Sequence, residues 1–201
     1  MLRGHTVCEL LAHRLGVLPR MQEIERLRQR ELIHRARYEM AAWYRDLPES
    51  TLHAALDDAQ FAPGLELAIR SLRDHGVVVG IASITWRFAV ERYATRWQID
   101  HVLATGLEGV DRIDHVWPEH KGPWLNALAA KYEVPRERTA AIGDSSNDLG
   151  MLAAAGLGYF VGSDLPGEAR AEVLHRPAAD LAEIAADLLA RWGLRSPAFP
   201  P

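Results

Sequence analysis

The 201-residue sequence has a single cysteine, Cys8, so no disulfide can form within the chain and no cysteine-based zinc site can be assembled. That usage suits a reducing cytosol. No apolar run approaches the roughly 20 residues needed to cross a bilayer, and the N-terminus has no basic segment followed by an apolar one. A soluble, cytoplasmic protein with no membrane partner is therefore expected. Excess charge of either sign is also missing. The 23 lysines and arginines are spread among 27 aspartates and glutamates, for a formal net charge of −4, and no basic face points to nucleic acid. The nine histidines are scattered, with no H-x-x-x-H pair to build a helical zinc site. There is no internal repeat, only the tail "GLRSPAFPP" (193–201) reads as a loose end, and the oligomeric state is not written in the sequence.

What is present is 48% hydrophobic, enough for one main core and a smaller insertion. Thr6 and Glu9 form a T-x-x-E capping box, followed by Leu10, Leu11 and Leu15 at helical spacing until Gly16 ends the turn. A second helical region carries Met21, Ile24, Leu27, Ile33, Ala36, Met40 and Trp43 every three or four residues. "DLPES" stops it and opens another helix over 49–60. Residues 17–61 thus read as a helical module without a strand.

From Pro63 onward the pattern changes. A short helix at 65–74 closes at His75 and Gly76, and then apolar strands alternate with helices. Strands are expected at 77–83, 101–105, in "TAAIGD" and in "GYFVG"; helices in "WRFAVERYATRW", "KGPWLNALAAKY", "SNDLGMLAAA" and "AADLAEIAADLLARW". "GLEGVDRIDHVWP" reads as a hairpin turning at Asp111 and Arg112. Continuous apolar strands between helices predict an α/β fold, a Rossmann-like parallel sheet covered on both faces. The expected domains are a core of 1–16 and 62–192, a helical cap of 17–61 and the tail.

In such sheets ligands bind where strands pass into helices. Ser83 and Thr85 are placed at the end of one strand, Asp144 and Asp148 after another, and Lys121 just before a helix. Gly143 lets the backbone turn sharply there, and helix N-terminal amides favour an anion. Asp144 and Asp148 share one face of a helical turn. That suits one as ligand of a hard cation and the other as a second-shell partner or as counter-charge to a lysine. The competing reading is that "GDSSND" only caps a helix. Lys121 as a positive charge and Ser83 as a hydroxyl donor match the needs of a phosphoryl group, although each alone is more often a solvated surface lysine and a helix cap.

The order "ASIT", "HKGPWLNAL" and "IGDSSNDLGML" resembles the second, third and fourth motifs of the haloacid dehalogenase superfamily, and the helical insertion resembles its phosphoserine-phosphatase-like branch. The resemblance implies that Ser83 and Ile84 hold phosphate and that Lys121 binds phosphate and the nucleophile. It further implies that Asp144 ligates Mg2+, that Asn147 touches the substrate phosphate, and that Asp148 orients the lysine or the metal shell. The implied activity is hydrolysis of a small phosphorylated metabolite through an aspartyl-phosphate.

Family members carry a first motif, D-x-D-x-T, at the end of a central N-terminal strand, and this sequence contains none. The resemblance gives that motif's first Asp the nucleophile's role and its second that of acid and base. "MLRGHTVCELLAHRLGV" resembles the family's sequence immediately after the motif, which puts the nucleophile upstream of Met1. A buried central strand is worth on the order of 5 to 15 kcal/mol, comparable with the net stability of a domain. A truncated start, inactive as given, is therefore expected over the alternative of a non-catalytic pseudoenzyme that binds phosphate or a phospholigand. Phosphoserine-specific relatives have a glutamate at the place of His5 and a cap arginine near that of Met40, so phosphoserine itself is not carried over. Trp43 and Trp86 read as core residues before they read as a substrate wall.

Overall fold

The computed structural model describes residues 2–108 and 112–194, which fall into two compact units. One comprises residues 2–61 and 83–116, the other 62–82 and 117–194. In chain order the elements are β1 (Leu2–Arg3), α1 (Val7–Arg14), α2 (Leu18–Glu25), α3 (Arg30–Tyr44), α4 (Glu49–Leu56), β2 (Gln60–Phe61), α5 (Leu65–Asp74), β3 (Gly80–Trp86) and α6 (Arg87–Arg96). They continue with β4 (His101–Glu108), β5 (Arg112–Asp114), α7 (Lys121–Lys131), β6 (Ala140–Gly143), α8 (Leu149–Ala154), β7 (Leu157–Phe160), β8 (Leu174–His175) and α9 (Leu181–Arg191).

The first unit is largely helical. Its capping box is present: Thr6 Oγ1 accepts from the Glu9 amide at 3.1 Å, and Glu9 Oε2 accepts from the Thr6 amide at 2.8 Å. Gly16, at φ +72°, supplies the left-handed residue beyond α1. The expected long helical region is broken into α2 and α3, because the Arg28 guanidinium donates to the Glu25 and Leu27 carbonyls and closes the end of α2. α3 buries Ala36, Arg37, Met40, Ala41 and Tyr44 along one stripe. The core of this unit gathers Leu11, Ala12, Met21, Met40, Tyr44 and Leu56 with Trp86 and Ala89. Trp86 is thus a core residue, and Trp43 packs half-buried against the same cluster.

Three expectations for this unit need correction. The helix at 49–60 ends at Leu56, and residues 17–61 do contain a strand, since Gln60–Phe61 pairs antiparallel with Leu2–Arg3. The strand expected at 77–83 runs from Gly80 to Trp86, because the Val77 amide is spent on the Leu72 carbonyl closing α5. Ser83 and Thr85 therefore lie within a strand and not at its end. The hairpin is found as antiparallel pairing of β4 with β5, with Arg112 in the second strand; Asp111 and the tail from 195 lie outside the described residues.

In the second unit β6, β7 and β8 form a parallel sheet, with Ala140–Gly143 in register with Leu157–Phe160. The crossover between β6 and β7 is α8, preceded by a 3₁₀ turn over Ser146–Asp148. β8, two residues long, was too short to show a pattern in the sequence. α5 packs along α9, whose Leu181, Ile184, Ala185, Leu188 and Leu189 make a helical stripe over the fully buried Tyr159. Among the described residues β3 pairs with β4 and β6 with β7, so each is the end strand of a three-stranded sheet. No helix among them is long and apolar enough to cross a membrane.

Candidate active site

β6 delivers the chain to Gly143 at its carboxyl end. A Cβ there would stand 2.3 Å from Asp148 Cβ and 2.7 Å from its Cγ, so only glycine lets the Asp148 side chain fold back over the strand end. Asp148 then occupies both carboxylate oxygens. Oδ2 accepts from the Asp144 amide at 3.1 Å, the Ser145 amide at 3.2 Å and Ser145 Oγ at 3.1 Å. Oδ1 accepts from Lys121 Nζ at 2.6 Å.

Lys121 opens α7 directly after a 3₁₀ turn over Pro118–His120, and it is 4% exposed; Asp148 is 6% exposed. A pair this buried holds because the carboxylate is satisfied by three further donors, and removal of either charge would strand the other at a cost of about 3 kcal/mol or more. Asp148 is therefore the counter-charge of the lysine, a choice that spacing alone left open. Asp144 is exposed and Asn147 half-buried. α8 is only six residues long, and the amides of 144 and 145 already serve Asp148, so the helix-terminal anion site expected here is not provided by those two amides.

The donor chemistry of Asp144, a hard exposed carboxylate, fits Mg2+, which is commonly held by one or two carboxylates together with water and substrate phosphate. Both Asp148 oxygens already accept hydrogen bonds, and among the described residues no group of three His, Cys, Asp or Glu side chains could hold a metal.

Ser83 and Ile84 belong to the other unit. Ser83 Oγ accepts from the Thr85 amide at 3.2 Å. The Ile84 carbonyl accepts from Thr105 Oγ1 at 2.9 Å and from Arg37 Nη2 at 3.2 Å. Arg37 Nη2 also donates to the Val116 carbonyl at 2.9 Å and Nη1 to His115 Nδ1 at 3.1 Å. Burial lowers the Arg37 guanidinium to about 10, and His115 is lowered to about 4, by burial first and then by the charge of Arg37. Sequence reasoning missed both Arg37 and Thr105. For Arg37 a signal was there: with Met40, Ala41 and Tyr44 it lies at i, i+3, i+4 and i+7 of a buried stripe, where a charged residue is out of place. His5 is exposed, with Nδ1 3.6 Å from Glu9 Oε2, and Met40 is buried.

The family model for haloacid dehalogenase-like hydrolases matches residues 3–153. The chain belongs to that family, and its likeness lies with the phosphoserine-phosphatase-like branch. Phosphoserine phosphatase SerB2 of Mycobacterium tuberculosis is 35% identical over 119 residues, 56% of this chain but 29% of that protein. Phosphoserine phosphatase of Streptococcus thermophilus is 32% identical over 161 residues, 76% of this chain and 75% of that one. Among solved structures, a probable phosphoserine phosphatase from Vibrio cholerae shares the fold with a TM-score of 0.76 at 24% identity, over 94% of this chain and 62% of that chain. The chain spans less than a third of the Mycobacterium protein and three quarters of the Streptococcus one.

Proposed function

We propose that the protein is a phosphomonoester hydrolase acting on a small phosphorylated metabolite, with Lys121, Asp144, Asn147 and Asp148 in its phosphoryl-transfer site. The observation that carries this reading is the buried Lys121–Asp148 pair beside the exposed carboxylate of Asp144 at a strand end. A lysine oriented by a carboxylate that accepts from three further donors is suited to neutralising a phosphoryl oxygen. Asp144 would ligate Mg2+, which supplies charge neutralisation on the transferring group. Asn147 would contact the substrate phosphate, and Ser83 and Ile84 take phosphate-holding roles on the strength of the family motif.

Hydrolysis of this kind needs a carboxylate nucleophile, which the family resemblance assigns to the D-x-D-x-T motif that these 201 residues lack. Its oxygen would attack phosphorus while the bond to the leaving-group oxygen breaks and an acid protonates that oxygen; water, deprotonated by the same acid's conjugate base, then attacks the acyl phosphate, releasing phosphate and restoring the carboxylate. The relatives' printed names make phosphoserine one compound to test. His5 and Met40 stand where that substrate's recognition would call for a glutamate and an arginine, which favours a different metabolite.

The test uses the protein supplied in frame with a D-x-D-x-T segment ahead of Met1. It should hydrolyse an aryl phosphate with Mg2+ and lose roughly a hundredfold of that activity on Asp144→Asn. Activity indifferent to a chelator would refute the reading. A second reading, a phosphate-binding protein without chemistry, is favoured by the absence of a D-x-D-x-T motif from the 201 residues; a stop codon directly upstream of Met1 would support it, and an upstream D-x-D-x-T would remove it.

A further inference from the structure

Both polar atoms of one peptide group, the one joining Ile84 to Thr85, are held in a defined way. Its carbonyl accepts from Thr105 Oγ1 and Arg37 Nη2, and its N–H donates to Ser83 Oγ. We infer that Arg37 and Thr105 are positioning residues for Ser83, acting through this peptide. By fixing the peptide plane they fix the N–H that occupies a lone pair of Ser83 Oγ. A serine hydroxyl has one proton to give, and an oxygen already accepting from the Thr85 amide is set up to donate that proton outward, to a phosphoryl oxygen. The inference rests on the reading of Ser83 as a phosphate-holding residue and adds to it the groups that orient the hydroxyl.

The two residues are built for orientation. Thr105 is 1% exposed and uses its hydroxyl both ways, donating to Ile84 and accepting from the Val116 amide at 3.1 Å. Arg37 is 7% exposed and spans the same two backbone sites, Ile84 and Val116, from a helix face that otherwise buries alanine, methionine and tyrosine. Apolar side chains would pack α3 against this strand equally well. A buried, fully hydrogen-bonded polar pair instead fixes which way a peptide faces. The side chain of Thr85 is held too, its Oγ1 lying 3.4 Å from Cys8 Sγ.

The experiment measures the dissociation constant of inorganic phosphate from the full chain and from Ser83→Ala, Thr105→Val, Thr105→Ser and the double variant Ser83→Ala/Thr105→Val. Thr105→Val, close to isosteric, should weaken phosphate binding roughly threefold to tenfold, and Thr105→Ser, which keeps the hydroxyl, should restore it. In the Ser83→Ala background Thr105→Val should add nothing, because its effect passes through the serine. Arg37→Met should behave like Thr105→Val, and where it fails to fold the threonine variants carry the test. An equal loss in both backgrounds would show a general effect on the fold and overturn the inference while leaving Ser83 as a phosphate ligand. Phosphate affinity unchanged by Ser83→Ala, or no phosphate binding by the wild type, would overturn the role of Ser83 and the inference with it.

Discussion

At the scale of single residues, each buried charged side chain among the described residues, Arg37, Lys121 and Asp148, is held by hydrogen bonds. His115 shows the consequence for stability. Its Nδ1 accepts from Arg37, so a proton there would turn an acceptor into a donor facing a guanidinium, with the tilted His34 ring 4.3 Å away and Arg30 adding like charge, against the opposing charge of Asp114. The folded pKa of about 4 lies below the ordinary 6.5, so between these values the unfolded chain binds more protons than the folded one. Stability contributed by neutral His115 is therefore complete above about pH 6.5 and is lost as the pH falls toward about 4. A urea denaturation series across that window should show His115→Gln, whose amide oxygen can still accept from Arg37, losing less stability than the wild type; parallel losses in the two proteins would contradict it. The sequence spacing predicts that Asp144 and Asp148 share a helical turn, whereas Asp144 lies in a bend before the 3₁₀ turn of Ser146–Asp148, with Ser145 extended between them. The spacing could not show which one takes the lysine, because that depends on Lys121, 27 positions away, and on the room that Gly143 leaves.

At the scale of elements, local chemistry decided what could be read in advance. Helices announced by a cap and an apolar stripe, α1 with its Thr6–Glu9 box and α5 closed at His75, are where the sequence put them. The start of β3 was misread because the apolar run at Val77 is continuous while its backbone is still finishing α5. β1, β2 and β8 are two residues each and have no periodicity to detect. The link from α3 to the Ile84 peptide joins residues 47 positions apart, beyond any local pattern. The turn from β6 toward α8 gives a prediction at this scale. Gly143→Ala would drive a methyl group into Asp148, and the displaced carboxylate would loosen its hold on Lys121. The expected cost is about 1 to 3 kcal/mol of stability, read from chemical denaturation, together with a loss of phosphate binding that Gly150→Ala, whose added Cβ meets nothing within 4 Å, does not share.

At the scale of the whole molecule, β3 and β6 are each the end strand of a three-stranded sheet among the described residues. The site offers a lysine, its counter-charge and the Asp144 carboxylate, but phosphoryl transfer also needs an attacking carboxylate, which the proposed function assigns to the D-x-D-x-T motif that these 201 residues lack. The most direct measurement is the hydrolysis of an aryl phosphate with Mg2+ by the 201-residue chain alone, compared with its Lys121→Ala variant. Neither protein is expected to turn over substrate beyond the uncatalysed rate. Turnover by the 201-residue chain that is lost on Lys121→Ala would contradict this, because the nucleophile would then have to lie among these residues.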